Sequence, residues 1–95
     1  MEQENSTKKI KELIANKVKF VKGETPYSLI ASRCNIHSGK ISDIANNKIN
    51  CQITSFIELA KGLRIHPKEL LDIDFDFELY YKELDSSIKS EKKDA

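Results

Sequence analysis

The strongest constraint on the fold lies between Ser28 and Lys48, where two short amphipathic runs are separated by only a few residues. The first run, SLIASR, carries the small residue Ala31, which permits a close helix crossing. The second run, SGKISDIA, places Ile41 and Ile44 on one side, at helical spacing. Because the segment between the runs is too short for a long loop, the stretch predicts two crossed helices in a helix-turn-helix arrangement.

Helical periodicity continues on both sides of this stretch. Apolar residues at spacings of three and four predict a first helix from about Thr7 to Lys22, with its lysines on the outside, ended by Gly23 and preceded by a frayed polar end at residues 1–6. The same spacing predicts a third helix at Ser38–Ala45 and a fourth at Ile53–Gly62. The residues of the fourth helix expected to be buried are Phe56, Ile57, Leu59 and Ala60.

Turn and cap residues locate the other helix ends. Thr25 followed by Pro26 predicts the start of the second helix, with threonine as N-cap and proline at the first helical position. Asn35 is expected to take the left-handed conformation at the corner between the second and third helices. His37 and His66 each precede a predicted helix, and both are interpreted as N-caps. His66 would begin a fifth, short helix.

The segment IDFDFELYY after residue 72 has two competing periods. Its first apolar residues alternate with acids, which is typical of a half-buried strand, whereas the residues from Glu78 onward suit a helix equally well. We expect an extended piece followed by a helix, together forming a C-terminal extension over residues 73–89. The polar residues from Ser86 predict a frayed tail, disordered over residues 90–95.

Composition limits the class of protein. A chain of 95 residues forms one small domain, and 33% charged residues with a mean hydropathy of −0.51 are typical of a soluble protein. No apolar run approaches the roughly 20 residues that cross a bilayer, and the charged N-terminus does not resemble a signal peptide. We therefore expect a cytoplasmic protein. Cys34 and Cys51 lack metal-ligand spacing and are interpreted as free thiols, so no metal site and no cofactor are predicted.

Charge is distributed unevenly along the chain. Residues 1–68 contain twelve Lys and Arg against six Asp and Glu, a net charge of +6. Residues 69–95 contain four against nine, a net charge of −5. A basic body with an acidic C-terminal segment indicates a polyanionic partner for the first part.

Residues 8–72 resemble the lambda-repressor/Cro-like helix-turn-helix domain, also called the xenobiotic-response-element (XRE) family. The resemblance is carried by LIASRCNIHSGKIS and by NNKINCQITSFIELAKGLRIHPKELL. It implies an all-α, compact five-helix bundle at residues 7–72, followed here by the C-terminal extended or helical extension. It also implies a double-stranded DNA-binding transcription regulator of repressor or controller type, which binds a palindromic operator as a homodimer.

The resemblance also assigns residues to DNA contact. The start of the second helix, the exposed face of the recognition helix and the loop after it contribute Tyr27, Ser38, Gly39, Lys40, Ser42, Asp43, Asn46, Asn47 and Lys48. The chemistry of these side chains agrees with such roles, since Lys40 can reach guanine O6 and N7 or a phosphate. Three positions depart from the family pattern: Gly39 has no side chain, Asp43 replaces a basic or amide residue, and Tyr27 replaces a glutamine.

A module of this size buries little surface on DNA, so two half-sites about 34–36 Å apart are the usual solution. The residues expected to form the dimer contact are Ile73, Phe75, Phe77, Leu79 and Tyr81. The alternative is an antitoxin-like protein-interaction module with weak DNA binding, whose acidic, aromatic segment would bind a toxin or another protein. No paired carboxylates, Gly-rich phosphate loop or metal cluster is present, so the sequence does not predict an enzyme.

Overall fold

The computed structural model describes residues 2–92 of the chain, with side chains described for residues 6–86. The helices in this range are α1 (Glu2–Lys22), α2 (Tyr27–Ala31), α3 (Ser38–Ala45), α4 (Ile53–Leu63), α5 (Pro67–Leu70) and α6 (Phe77–Lys92). No strand occurs among the described residues, which confirms the prediction of an all-α fold. None of these helices combines the length and the apolar character needed to cross a membrane.

The core draws on five helices and on the connection between α2 and α3. One fully buried aliphatic residue comes from each of α1 to α5: Val18, Ile30, Ile41, Leu59 and Leu70. Ile36 of the α2–α3 connection is buried beside them. Burying a side chain of this size stabilises a fold by about 1.5–3 kcal/mol.

Local signals located α3 and α5 correctly. The bounds of α3, Ser38–Ala45, agree with the prediction. The backbone N–H of Lys40 donates to Nδ1 of His37 at 3.2 Å, so His37 is the N-cap of α3. His66 caps α5 in the same way, with the backbone N–H of Lys68 donating to its Nδ1 at 3.1 Å.

Two predictions for the helix starts were wrong. α1 begins at Glu2, so residues 2–6 are helical and do not form a frayed end. The spacing of apolar residues could not predict that residues 2–6 are helical, because all of them are polar. Their helical conformation follows from helix propensity alone. α2 begins at Tyr27 with Pro26 as N-cap, and Thr25 does not cap it with its side chain. The carbonyl of Pro26 instead accepts from the backbone N–H groups of Leu29 and Ile30.

The corner between α2 and α3 also differs from its prediction. Asn35 is not left-handed; among non-glycine residues described, positive φ occurs at Asn47 (60°) and Arg64 (65°). Side chains of α4 hold the connection in place of a left-handed residue. The carboxylate of Glu58 accepts from the backbone N–H of Asn35 at 3.1 Å, and Nζ of Lys61 donates to the carbonyl of Arg33 at 2.6 Å.

α4 faces the core with fewer residues than predicted. Phe56, Leu59 and Ala60 are buried, but Ile57 is 48% exposed, so its predicted burial was wrong. Ile57 lies one turn after Ile53 on the outer side of the helix, past the edge of the inward face. α4 therefore presents two isoleucines to solvent.

Among the described residues after residue 71, none forms a strand. Residues 72–76 are irregular, and α6 starts at Phe77, where Oδ1 of Asp76 accepts from the backbone N–H of Leu79 at 3.0 Å. The rings of Phe75 and Phe77 meet edge-on at 4.9 Å, so these apolar side chains have partners within the chain. α6 contacts α1 and continues to Lys92, which differs from the predicted tail from Ser86. Residues 93–95 of that predicted tail lie outside the described residues.

Candidate nucleic-acid interface

α3 presents a polar surface opposite its buried side. Ile41, Ile44 and Ala45 face the core, whereas Ser38 and Gly39 at the start of the helix are exposed. Three further predicted contact residues on this helix are half-buried: Lys40, Ser42 and Asp43. At 3.6 residues per turn these positions together cover the part of the helix circumference that Ile41, Ile44 and Ala45 do not bury.

Lys40 links this face to the first turn of α4. Its Nζ donates to the hydroxyl of Ser55 at 3.0 Å. Because an ammonium group has three donors, two remain for an acceptor outside the chain. The sequence reasoning missed Ser55; its place in the first turn of a predicted helix was the available signal, but nothing in the sequence paired it with Lys40.

The loop after α3 is ordered by its own side chains. Nδ2 of Asn46 donates to the carbonyl of Ser42 at 2.9 Å and to its hydroxyl oxygen at 3.3 Å. Asn47 adopts the left-handed conformation that asparagine tolerates, and the backbone N–H of Lys48 donates to the carbonyl of Asp43 at 2.8 Å. The side chain of Lys48 projects from this fixed turn and is exposed.

Tyr27 lies at the start of α2, as predicted, and is half-buried. Nζ of Lys22 lies 4.6 Å from the centre of its ring and also donates to the carbonyl of Gly23 at 3.3 Å. A cation above an aromatic ring at a partly exposed site stabilises by roughly 0.5–1 kcal/mol. Lys22 therefore adds a positive charge beside Tyr27 that sequence reasoning did not assign to the site.

A second group of lysines borders the loop after α3. Lys8, Lys9 and Lys11 of α1 line one shallow hollow together with Glu12 and Asn47. Lys9 pairs with Glu12 at 3.7 Å, and such exposed pairs contribute little stability. The sequence placed these lysines on the outside of α1, and only the tertiary structure brings them beside Asn47.

Both cysteines are free and half-buried. Burial raises the pKa of the Cys51 thiol above its ordinary value of 9.0, and this effect exceeds the opposing influence of a backbone hydrogen bond and of the Lys40 charge. A protonated thiol is a poor nucleophile. The sulfur of Cys34 donates to the carbonyl of Ile30 at 3.5 Å. Within the part of the chain that the structure describes, no three His, Cys, Asp or Glu side chains are grouped to hold a metal ion.

The residues predicted for a dimer contact divide into two groups. Ile73, Phe75 and Phe77 are half-buried, and Phe77 also lies 6.0 Å from Tyr81 between ring centres. Leu79 and Tyr81 are more than half exposed on α6. The second group therefore offers the larger share of each side chain to another molecule.

Comparison with known proteins leaves the family open. No protein-family model matches the chain, and no curated protein or solved structure matches it either.

Proposed function

We propose that this chain is a non-enzymatic, sequence-specific regulator of transcription that binds double-stranded DNA as a homodimer in the cytoplasm. The domain responsible would be a lambda-repressor/Cro-like five-helix bundle at residues 7–72. The observation that carries the proposal is the α2–α3 pair, in which α3 is anchored by Ile41 and Ile44 and has a polar outer face. A short helix held in this way can enter a major groove with its first residues at the base edges.

On this proposal the side chains divide into two roles. Ser38 and Lys40 would read base edges, Lys40 through the ammonium donors that Ser55 leaves unused. Lys48 and Asn47 would contact the phosphate backbone from the ordered loop after α3. Asp43, half-buried on α3, would accept from a cytosine N4 amino group, since phosphate would repel it.

Charge supports the same orientation. The net charge of +6 over residues 1–68 includes lysines on α1, α3 and the loop after α3. The net charge of −5 over residues 69–95 begins in α5 and continues through α6. A duplex would attract the first part and repel the second, so the acidic extension would point away from the DNA.

The test of the proposal is selection of duplexes from a random library by the full chain at near-physiological salt. We expect a palindrome whose half-sites are one helical turn apart. Recovery of no sequence above background by folded protein would contradict sequence-specific binding. With Lys40→Gln, the preferred base should change at one position of each half-site; an equal loss of affinity for every sequence would make Lys40 a phosphate contact.

A matched pair of lysines tests the phosphate contact. Lys48→Gln should weaken binding to all duplexes and reduce the slope of log K against log salt by about one unit, because one phosphate contact is lost. Lys82→Gln removes the same charge from an exposed position on α6 and should leave the slope unchanged. Equal slopes for Lys48→Gln and the wild type would remove Lys48 from the interface.

The second candidate function is an antitoxin-like protein-interaction module. It is favoured by Leu79 and Tyr81, two large apolar side chains exposed on an acidic helix. Such a module would return no duplex from the selection and would co-purify with the product of a neighbouring gene. Leu79→Ser together with Tyr81→Ser should then abolish that co-purification while leaving the bundle folded.

A further inference from the structure

One hollow on the surface has an apolar floor and an open edge. It has a volume of about 470 Å³ and lies between the first half of α1, the loop after α3, the start of α4 and the end of α5. Ile10, Ile14, Ile44 and Phe56 contribute to its lining. Ile53 and Leu71 also line it, yet they are 68% and 51% exposed. Within one chain this hollow leaves two large aliphatic side chains in water.

Two lysines face this hollow. Lys11, Ala15 and Val18 follow the i, i+4, i+7 spacing of one helix face, and both Ala15 and Val18 are buried. Lys11 therefore points toward the body of the protein, and both Lys8 and Lys11 line the hollow. Among the side chains that the structure describes, residues 6–86, neither ammonium group has an ion pair or a hydrogen bond. Positive charge thus stands at the edge of an apolar surface, and the acid described beside it, Glu12, pairs with Lys9 instead.

Exposed acidic residues follow the lining residue Leu71 along the chain. Leu71 is followed by Asp72 and Asp74, both exposed, and neither carboxylate pairs with a described residue. Asp76 differs, since it caps α6 through the backbone N–H of Leu79. One patch therefore combines an apolar hollow with two cations and a protruding leucine with two anions.

A surface that carries an apolar hollow, a leucine that could fill such a hollow, and charges of both signs can bind a second copy of itself. A two-fold dimer joins the same surface on both protomers, so each half of the patch meets the other half on its partner. We propose that the chain forms its homodimer here, with Leu71 of each copy entering the hollow of the other. Asp72 and Asp74 of each copy then face Lys8 and Lys11 of the other. This proposal rests on the homodimer of the proposed function and places the contact between the two copies on α1, α4 and α5.

Charge reversal on the full chain tests this arrangement, with the dimer dissociation constant measured by analytical ultracentrifugation without DNA. The variant Lys8→Glu/Lys11→Glu and the variant Asp72→Lys/Asp74→Lys should each weaken the homodimer by roughly 10- to 100-fold, because like charges then face each other. An equimolar mixture of the two variants should form a heterodimer about as tight as the wild-type dimer. Every facing pair in that mixture is again of opposite sign.

The mixing result separates this contact from an effect within one chain. If the reversed charges only destabilised their own protomer, mixing two damaged proteins would restore nothing. Lys19→Glu/Lys82→Glu and Glu78→Lys/Asp85→Lys make the same changes in net charge at exposed positions away from the hollow. These controls should dimerise like the wild type. Circular dichroism confirms that each variant is folded.

Three outcomes would overturn the proposal: a monomeric wild type, charge-reversed variants that dimerise normally, or a mixture that stays monomeric.

An apolar pair of variants adds a fourth test. Leu71→Ser should dissociate the dimer, whereas Leu79→Ser/Tyr81→Ser should not; the reverse result would place the dimer contact on α6. If reversal of Lys8 and Lys11 weakened only DNA binding, those lysines would belong to the DNA surface. Because dimerisation is measured without DNA, a failed duplex selection leaves this test intact.

Discussion

Replacing Gly62 with alanine should destabilise the fold through the contact between α4 and α2. A β-carbon added at Gly62 would lie 2.8 Å from the carbonyl oxygen of Ile30, 2.9 Å from its Cγ2 and 3.1 Å from Sγ of Cys34. The first of these neighbours is backbone, so relief requires α2 to move away from α4. Ile30 is fully buried, and its displacement would disturb the centre of the core.

The magnitude follows from two opposing effects. Alanine is favoured over glycine within a helix by about 1 kcal/mol. Overpacking a well-filled site costs about 1–3 kcal/mol, and a backbone contact below normal van der Waals distance belongs at or above the upper end. We expect a net loss of about 2 kcal/mol in the free energy of unfolding. For a domain of this size that corresponds to a fall in Tm of about 8–16 °C.

Gly39→Ala is the matched control for this substitution. The change is chemically the same and also lies within a helix, but its β-carbon would meet only the ring of His37, at 3.2 Å and 3.3 Å. That ring is exposed and can shift at the expense of part of its cap on Lys40, which the higher helix propensity of alanine offsets, so we expect a change within about 1 kcal/mol. Urea and thermal unfolding followed by circular dichroism measure both variants. A Gly62→Ala protein as stable as the wild type would refute the close crossing of α2 and α4.

Two further predictions concern the cap of α3 and the thiol in the hollow. His37→Ala should lower the free energy of unfolding by about 1 kcal/mol, because the backbone N–H of Lys40 loses its acceptor, whereas His37→Asn should retain most of the stability. Urea unfolding measures both, and equal stability of all three proteins would refute the capping role. Cys51 should react with iodoacetamide at pH 7.5 more slowly in the folded chain than in denaturant, since burial raises its pKa. The folded chain then binds the thiol proton of Cys51 more tightly than the unfolded chain does. The stability that this thiol contributes is therefore present below pH 9.0 and is lost as the pH rises through the higher folded pKa. Cys51→Ser should remove this loss of stability at high pH.

Sequence reasoning succeeded where a helix end is decided by neighbouring residues. The bounds of α3 follow from the His37 cap and from isoleucines three residues apart, all within one short stretch. The same holds for α5, where His66 and Pro67 define the start. It failed where another element decides the conformation, as at Asn35, whose backbone N–H is satisfied by Glu58 of α4. Local propensity favoured a left-handed corner there, and a tertiary contact removed the need for one.

The candidate site divides in the same way. The polar face of α3 could be predicted from the sequence, because the helical spacing of Ile41 and Ile44 alone separates them from the polar residues between them. The pairing of Lys40 with Ser55 could not, since these residues are joined only by the crossing of α3 and α4. The hollow was equally hidden. Lys11 was interpreted as an outer lysine of α1, although it shares a helix face with buried Val18.

The proposed DNA surface and the proposed dimer surface share the end of α3. Ile44 belongs to α3 and lines the hollow, and Asn47, a proposed phosphate contact, lines it as well. A second copy seated there would therefore press on the segment that orients the recognition helix and its following loop. Two recognition helices must be held one helical turn apart to read a palindrome, and a contact at this segment would set that separation directly. Variants that dissociate the dimer through Lys8 and Lys11 should thus lose affinity for the full palindrome far more than for an isolated half-site.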